Sequence, residues 1–285
     1  MKKNLFLVIL LTVLGISSNI FARPYFDKEK DLLLACFDLK PDEDDVHAAA
    51  ALACMLQHPD LSGIQYFAVA GAYGIQNGKY IHTATPEFFN NLFGHKNKKW
   101  TDAHENRDQS VKKVRKLVKK TLKSGGKVFI QEAGQSDFTH DMLKALIEAG
   151  VDRNVIKSKV IVVQHSNWNE DKSDQTKLEW VKNNTYYVKI DDGNSPDNNT
   201  PGYNNKNTRF MTQALASENP NAKARSFWEQ ANKICKGWEA SWENPTIANG
   251  GVDFSDCVEN WWIFDLKDKT DSIAKFWERY VINKP

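Results

Sequence analysis

The chain has 285 residues, with 38 basic and 36 acidic side chains and a formal net charge of +2. This near-neutral balance excludes a bulk electrostatic attraction to nucleic acid or anionic lipid, so we expect no nucleic-acid partner. The four cysteines show no zinc-ligand spacing, so the sequence gives no sign of a zinc finger.

The first 22 residues have the pattern of a secretory signal peptide. Lys2 and Lys3 precede an apolar core at residues 5–16, and residues 20–22 form an acceptable small-residue cleavage site. The apolar core is too short for a stable membrane span, and no later stretch reaches that length. We therefore expect a secreted or periplasmic protein that has one domain, residues 23–285, and no membrane contact after signal removal.

Residues 32–57 predict a strand, an acidic turn and a helix. Six apolar residues form the strand, and apolar side chains recur at helical spacing behind the turn. The turn, Asp38 to Asp45, contains six charged residues. Helix capping would explain two acids in the first helical turn but not the whole run. Because open α/β sheets bind ligands at strand carboxyl ends, we predict a ligand or metal site here.

The rest of the chain alternates predicted strands with predicted helices. Strands begin the segments 64–74, 127–150, 159–170 and 185–194, and helices are expected near 108–124, 224–236 and 271–281. This order predicts an α/β fold with a mainly parallel, doubly wound sheet and helices on both faces. No repeat, low-complexity tract or linker divides the chain.

The cysteines divide into two pairs by their surroundings. Cys36 and Cys54 lie in apolar segments, where we expect them to pack in the core rather than form a bridge. Cys235 and Cys257 flank a Trp-rich loop, and the export signal makes a disulfide between them an open alternative to two free thiols.

Polar side chains follow several predicted strands at the points where those strands end. They lie in residues 38–45, 71–74, 132–139 and 164–170, and Asp253 and Asp256 enter from a later turn. The carboxyl ends of parallel strands share one edge of a sheet, so we expect the Asp38–Asp45 turn, Asp137, His165 and Asp256 to form a single site.

The acidic turn resembles the calcium-site motif of the nucleoside hydrolase family, D-x-D-P-G-x-D-D, which Asp38, Pro41, Asp44 and Asp45 match in register. Shorter similarities follow in order along most of the mature chain. Residues 69–74 resemble the V-A-G-N turn, 132–139 the G-P-L-T-N turn, 166–170 the sugar-contacting E-F-N loop and 255–264 the late H-D segment. The resemblance implies the family's sheet and hydrolysis of an N-glycosidic bond.

The resemblance also implies roles for individual residues. Asp38 and Asp45 would be catalytic, and Asp45 and Asp256 would bind the metal. Residues that would contact the sugar are Lys40, Asp44, Asp137, Asn167, Trp168, Asn169 and Glu170. His165 lies between a strand and a loop, where it would serve as acid or base for the leaving group or, alternatively, as a half-buried residue with a backbone partner.

Two positions depart from the family pattern. Lys40 stands where the family has a second aspartate that holds Ca²⁺ and activates water, and Ser255 replaces a histidine that is often the leaving-group acid. Ca²⁺ prefers six to eight oxygen ligands, and an ammonium beside it would repel it, so Lys40 argues against the ion. Alternatively, Lys40 takes the place of the metal and pairs with Asp45, Asp137 or Asp256.

The leading hypothesis is an exported nucleoside hydrolase-like protein that takes a small sugar or nucleoside ligand. A non-catalytic carbohydrate-binding protein on the same fold is the alternative, supported by Lys40 and Ser255. A haloacid dehalogenase-like phosphatase is a third idea because Asp38 ends a strand, but that class needs an aspartate at position 40. A homo-oligomer is compatible with the sequence.

Overall fold

The computed structural model describes residues 23–82, 85–239 and 242–284. The predicted signal peptide lies outside these residues. In the part of the chain that is described, no helix has both the length and the apolar character needed to cross a membrane.

Six strands form one parallel sheet. They are β1 (Leu32–Phe37), β2 (Gln65–Ala70), β3 (Trp100–Asp102), β4 (Val128–Ala133), β5 (Val160–Gln164) and β6 (Tyr186–Lys189). Their spatial order is β3-β2-β1-β4-β5-β6. This is the order of a Rossmann-type doubly wound sheet, in which the chain reverses direction across the sheet between β1 and β4. Two further strands, β7 (Asn204–Asn205) and β8 (Val252–Asp253), pair antiparallel.

Helices cover both faces of the sheet, as the sequence predicts. They are α1 (Asp44–Gln57), α2 (Thr85–Phe93), α3 (Arg107–Lys123), α4 (Asp137–Glu148), α5 (Arg153–Lys159), α6 (Asn167–Asp171), α7 (Gln175–Asn184), α8 (Arg209–Leu215), α9 (Ala222–Gly237), α10 (Pro245–Ala248), α11 (Val258–Ile263) and α12 (Ile273–Phe276). The 3-10 turns Ser255–Cys257 and Lys267–Lys269 and the π-helical segment Trp277–Ile282 complete the chain.

Alternate residues of β1 belong to two separate hydrophobic cores. Leu33 and Phe37 pack on one face with α1, α2 and α9, whereas Leu34 and Cys36 pack on the other with α3 and α4. Because successive side chains of a strand point to opposite faces, a strand buried on both sides must be apolar throughout. The continuous apolar run that predicted β1 is therefore a direct consequence of the two-sided core.

The edge formed by the ends of β1, β2 and β4 is held closely together. The amide of Asp38 donates to the carbonyl of Ala133 at 3.3 Å, and the amide of Ala72 donates to that of Phe37 at 2.9 Å. A Cβ atom at Gly134 would lie 2.7 Å from the Ala72 carbonyl oxygen, so only glycine fits there. This close approach brings the acidic turn beside the residues that follow β4.

The cysteine expectations have different outcomes. Cys36 and Cys54 are buried core residues, as predicted, and Cys235 and Cys257 are free thiols, so of the two alternatives for this pair the disulfide is wrong. The Cys257 sulfur instead lies 3.7 Å from the sulfur of Met55, and Cys235 is buried on the last turn of α9. Both thiols therefore pack as small apolar side chains.

The core makes a stability prediction for Ile130, which lies at the centre of β4 with no exposed surface. We expect Ile130→Ala to lower the free energy of unfolding by about 2–5 kcal/mol, because it removes buried methylene groups and leaves a cavity. Ile75 is 68% exposed, and the matched change Ile75→Ala should cost less than about 0.5 kcal/mol. Urea unfolding measures both, and equal losses would contradict this description of the core.

Candidate functional site

A cavity of about 240 Å³ opens at the carboxyl edge of the sheet, beside the ends of β1 and β4. Acidic, amide and aromatic side chains dominate its wall: Asp38, Asp42, Asp44, Glu243, Asp253, Asp256, Asn169, Asn194, Asn204, Asn244, Trp168 and Trp242. Lys40 and His165 are the cationic or potentially cationic groups among the described residues that line it. The position beside β1 and β4 is where doubly wound sheets bind ligands.

Asp38 follows β1 directly and is fixed by three donors. Its Oδ1 accepts from the Lys40 amide at 3.0 Å, and its Oδ2 accepts from Gln76 Nε2 at 3.1 Å and Gln135 Nε2 at 3.0 Å. Burial raises the pKa of Asp38 to about 6, although hydrogen bonds from Asp45, the Lys40 amide and Gln135, together with the charge of Lys40, oppose the rise. Asp38 is therefore ionised at neutral pH and lies on the cavity wall.

Asp45, in the first turn of α1, lies behind Asp38 and forms a carboxyl pair with it. Its Oδ2 accepts from the Leu39 amide at 2.5 Å, whereas among the described residues its buried Oδ1 has no donor. Burial and the charges of Asp38 and Asp256 raise the pKa of Asp45 well above its usual range. The contact between the two carboxyls lowers the pKa of Asp38 and raises that of Asp45, so a proton held by the pair is placed on Asp45.

Asp42 and Asp253, on the same wall, are held by an amide and a hydroxyl group. Asn244 Nδ2 donates to Asp42 at 3.1 Å and to Asp253 at 2.9 Å, and Ser255 Oγ donates to Asp253 at 2.9 Å. Burial, together with neighbouring carboxylates, raises the pKa of Asp42 to about 7 and that of Asp44 well above its usual range. The wall is therefore a proton-rich set of carboxyl groups at neutral pH.

His165 follows β5 and lies between two carboxyl groups. Its Nδ1 is 2.8 Å from Oε1 of Glu259, on the first turn of α11, and its Nε2 is 3.9 Å from Oδ1 of Asp256. Burial lowers the pKa of His165, but the charge and hydrogen bond of Glu259, together with Asp256, raise it to about 9. His165 is thus an imidazolium at neutral pH.

Lys40 does not pair with the carboxylates proposed for it. Its Nζ donates to the Gln76 carbonyl at 2.9 Å and lies 3.7 Å from the centroid of the Tyr73 ring. Within the described part of the chain it forms no ion pair with Asp45, Asp137 or Asp256, so the metal-replacement prediction is wrong. A carbonyl and an aromatic face satisfy the ammonium on the β2 side of the turn.

Three residues predicted to contact substrate lie outside the cavity wall. Asp137 accepts from the Asp174 amide at 3.1 Å and lies 3.7 Å from Lys177 Nζ, which ties α4 to the α6–α7 connection. Glu170 accepts from the Tyr187 hydroxyl at 2.7 Å. Asn167 is exposed at the start of α6. None of the three therefore contributes to the cavity wall, and the prediction that they contact the sugar is not supported by their positions.

Trp168 and Asn169, from the same short helix, do line the cavity. The amide of Asn169 donates to Ser166 Oγ at 3.2 Å, which caps α6, and Asn169 Oδ1 accepts from Gln135 at 3.0 Å. Trp168 meets Trp242 edge to face with ring centroids 5.9 Å apart. The two indoles give the acidic wall one aromatic side.

Sequence reasoning missed several of the residues that shape the site. They are Glu259, Gln76, Gln135, Trp242, Asn194, Asn204 and Asn244. Most come from loops that lack periodicity, and Glu259 pairs with His165 across 94 residues of chain. One available signal was Asn244-Pro245, a helix cap followed by a proline at the first helical position, which places Asn244 at a defined turn.

The donor set does not fit the calcium ion that the resemblance implies. Among the described residues, no three His, Cys, Asp or Glu side chains are arranged to hold a metal ion. Asp45 uses one oxygen for the Leu39 amide, and Asp256 faces the His165 imidazolium. Lys40, at the position of a ligand aspartate, offers no oxygen. We therefore assign no chemical step to a metal at Asp45 and Asp256.

The chain was compared with known proteins in three ways. No protein-family profile, no curated protein and no solved structure matches it. The geometry of the cavity is thus the evidence from which a function is argued.

Glu132, in β4 near this edge, is a fully buried carboxyl outside the cavity wall. Its Oε2 accepts from Ser136 Oγ at 2.7 Å, and within the described residues no cation pairs with it. Burial raises its pKa to about 7, partly opposed by neighbouring hydroxyls. The folded state therefore binds a proton at Glu132 more tightly than the unfolded chain does.

The raised pKa of Glu132 predicts a loss of stability with rising pH. An acid that titrates near 4.5 when unfolded and near 7 when folded stabilises the fold below the lower value and loses this contribution as pH rises through the higher one. The loss should be about 3 kcal/mol. We expect Glu132→Gln to flatten the slope of unfolding free energy between these pH values, while the exposed Glu148→Gln leaves it unchanged. Equal slopes in the wild type and Glu132→Gln would contradict the assignment.

Proposed function

We propose that the cavity hydrolyses the N-glycosidic bond of a ribosyl or related sugar substrate. The observation that carries the proposal is the placement of a carboxyl group, Asp38, and an imidazole, His165, on the wall of one cavity. Asp38, with a pKa of about 6, is ionised at neutral pH, and His165, with a pKa of about 9, is protonated. Hydrolysis of a glycosidic bond needs a base for water and an acid for the leaving group.

The proposed reaction has water attacking the anomeric carbon while the carbon–nitrogen bond breaks. Asp38 accepts a proton from the attacking water, and His165 gives its Nε2 proton to the departing nitrogen. The products are a free sugar and a nitrogen base. The carboxylate of Asp38 also stabilises the positive charge that develops on the sugar in the transition state. Asp45 keeps Asp38 in place through the shared proton.

The rest of the wall suits a sugar. Asn169 offers its Nδ2 donor for a hydroxyl group and Asp44 offers a carboxyl, whereas the side chains of Asn194 and Asn204 are bonded to each other on the wall. Trp168 and Trp242 present aromatic surface, which suits the apolar face of a sugar or the plane of a base. The resemblance of the acidic turn to the nucleoside hydrolase motif supports the same substrate class.

A non-catalytic carbohydrate-binding protein is the second candidate. Lys40 stands where the family motif has an aspartate, and its Nζ is occupied by the Gln76 carbonyl and the Tyr73 ring. The same amides and indoles would bind a sugar without turning it over. The two candidates differ in one measurable property, which is the release of sugar.

We predict that Asp38→Asn lowers kcat for a cleavable nucleoside by roughly 10²–10⁴-fold, because the base is lost. The experiment incubates the purified protein with a panel of purine and pyrimidine ribosides and 4-nitrophenyl riboside, and measures the reducing sugar released. Asp108→Asn, an exposed change in the first turn of α3, is the matched control and should leave the rate unchanged.

Calorimetry on the same panel separates the two candidates. Release of sugar that depends on Asp38 supports the hydrolase. Binding without release supports the carbohydrate-binding protein, and neither binding nor release would contradict both.

The two protonation states predict a bell-shaped dependence of kcat/KM on pH. Activity should fall as pH drops through about 6, because Asp38 becomes protonated, and as pH rises through about 9, because His165 loses its proton. Initial rates across this range measure both limbs. A profile whose acid limb is unchanged in Asp38→Asn would contradict the role of Asp38 as the base.

A further inference from the structure

We propose that Glu259 is the positioning residue of this site, holding the His165 imidazole by Nδ1 so that the Nε2–H faces the cavity as the proton donor for the leaving nitrogen. This inference rests on the proposed function and deepens it. It assigns the leaving-group proton to a Glu259–His165 dyad, formed by residues 94 positions apart in the chain.

The imidazole of His165 is fixed at its Nδ1 atom and through its backbone. Glu259 is fully buried and His165 is 2% exposed, and Oε1 lies 2.8 Å from Nδ1. Lys189 Nζ donates to the backbone carbonyl of His165 at 2.9 Å, which fixes the backbone as well. With Nδ1 engaged, Nε2 is the nitrogen left for the substrate, and it lies 3.9 Å from Asp256 on the cavity wall.

In the described part of the chain, the second oxygen of Glu259 makes no hydrogen bond that would tie the carboxylate to another part of the fold. Among the described residues, Oε2 is buried without a hydrogen-bond partner. Carboxylates retained for structure usually have their oxygens satisfied, because an unsatisfied buried acceptor costs about 1–3 kcal/mol. The described contacts of Glu259 thus centre on the imidazole, as expected of a group retained to control the orientation and charge of His165.

Other charged groups face His165 from the elements packed around it. Asp253 approaches from β8, Asp256 from the turn after it, Asp192 from the loop after β6, and Lys189 from β6 itself. The three aspartates favour the imidazolium, whereas burial opposes it. Glu259 is the group in hydrogen-bond contact with the ring, so its removal should leave burial as the dominant influence.

The sequence offers a reason for a proton donor at this position. Ser255 occupies the place where the resembled family often has its leaving-group acid, and its hydroxyl donates to Asp253 at 2.9 Å. A serine held in this way is not an acid at neutral pH. His165, which follows β5, lines the same cavity as Ser255. The Glu259–His165 dyad thus supplies the proton donor that Ser255 cannot provide.

The test compares two substrates with different leaving groups in the wild type, Glu259→Gln and His165→Gln. The purine of a purine riboside needs a proton on its nitrogen in order to leave. The 4-nitrophenolate of 4-nitrophenyl riboside leaves as a stable anion without one. We expect Glu259→Gln to lower kcat for the purine riboside by roughly 10²–10⁴-fold with little change in KM, and to lower that for 4-nitrophenyl riboside by less than about 10-fold. Glu179→Gln, on the exposed face of α7, is the control and should match the wild type.

Nitrogen-15 NMR of the His165 ring at neutral pH gives a readout that does not depend on turnover. We expect a doubly protonated ring in the wild type and a neutral ring in Glu259→Gln. An unchanged ring spectrum, or an equal loss of rate with both ribosides in folded Glu259→Gln, would overturn the inference. If the wild type cleaves neither riboside, the proposed function fails, and the proton-donor role falls with it. The NMR spectra would then still decide whether Glu259 controls the charge of His165.

Discussion

The site depends on one electrostatic constraint, which is the burial of several carboxyl groups at the same edge of the sheet with few cations to balance them. Ionised together, these groups would repel one another in surroundings that screen charge poorly. The cavity relieves the repulsion with protons and amide donors. Asp45 shares a proton with Asp38, and Asn244 bridges Asp42 and Asp253. The charge of Lys40 lowers the pKa of Asp38, although the ammonium is bound on the β2 side of the turn.

The fold imposes this crowding. Parallel pairing of β1 with β4 brings the acidic turn beside the residues after β4. Gly134 has no side chain, so the segment after β4 can contact the backbone of the segments after β1 and β2. The same arrangement opens a crevice where the strand order reverses, so the acids face a cavity and not a packed interior. An ionised Asp38 and a protonated His165 therefore meet on one wall.

The sequence predicted the parts of this arrangement that follow from local pattern. The strand–turn–helix unit at residues 32–57, the parallel sheet and the presence of Asp38, Asp44, His165 and Asp256 at one edge are all found in the structure. β3 was missed because it has only three residues. Glu259 was missed because its partner is distant in the chain, and no periodic pattern links them. The pairing of Lys40 was wrong because a long, flexible side chain reached a carbonyl and an aromatic ring instead.

The most direct test is to measure whether the buried carboxyl pair, Asp38 and Asp45, holds a proton at neutral pH. An infrared difference spectrum between the wild type and Asp45→Asn at neutral pH detects the carbonyl stretch of a protonated carboxyl group. If Asp45 carries a proton, the difference spectrum shows a carbonyl band that the wild type has and Asp45→Asn has lost, while the bands of the other protonated carboxyls cancel. A spectrum in which the carboxyls of the wild type are all ionised would contradict the account, because a bound cation would then have to balance them.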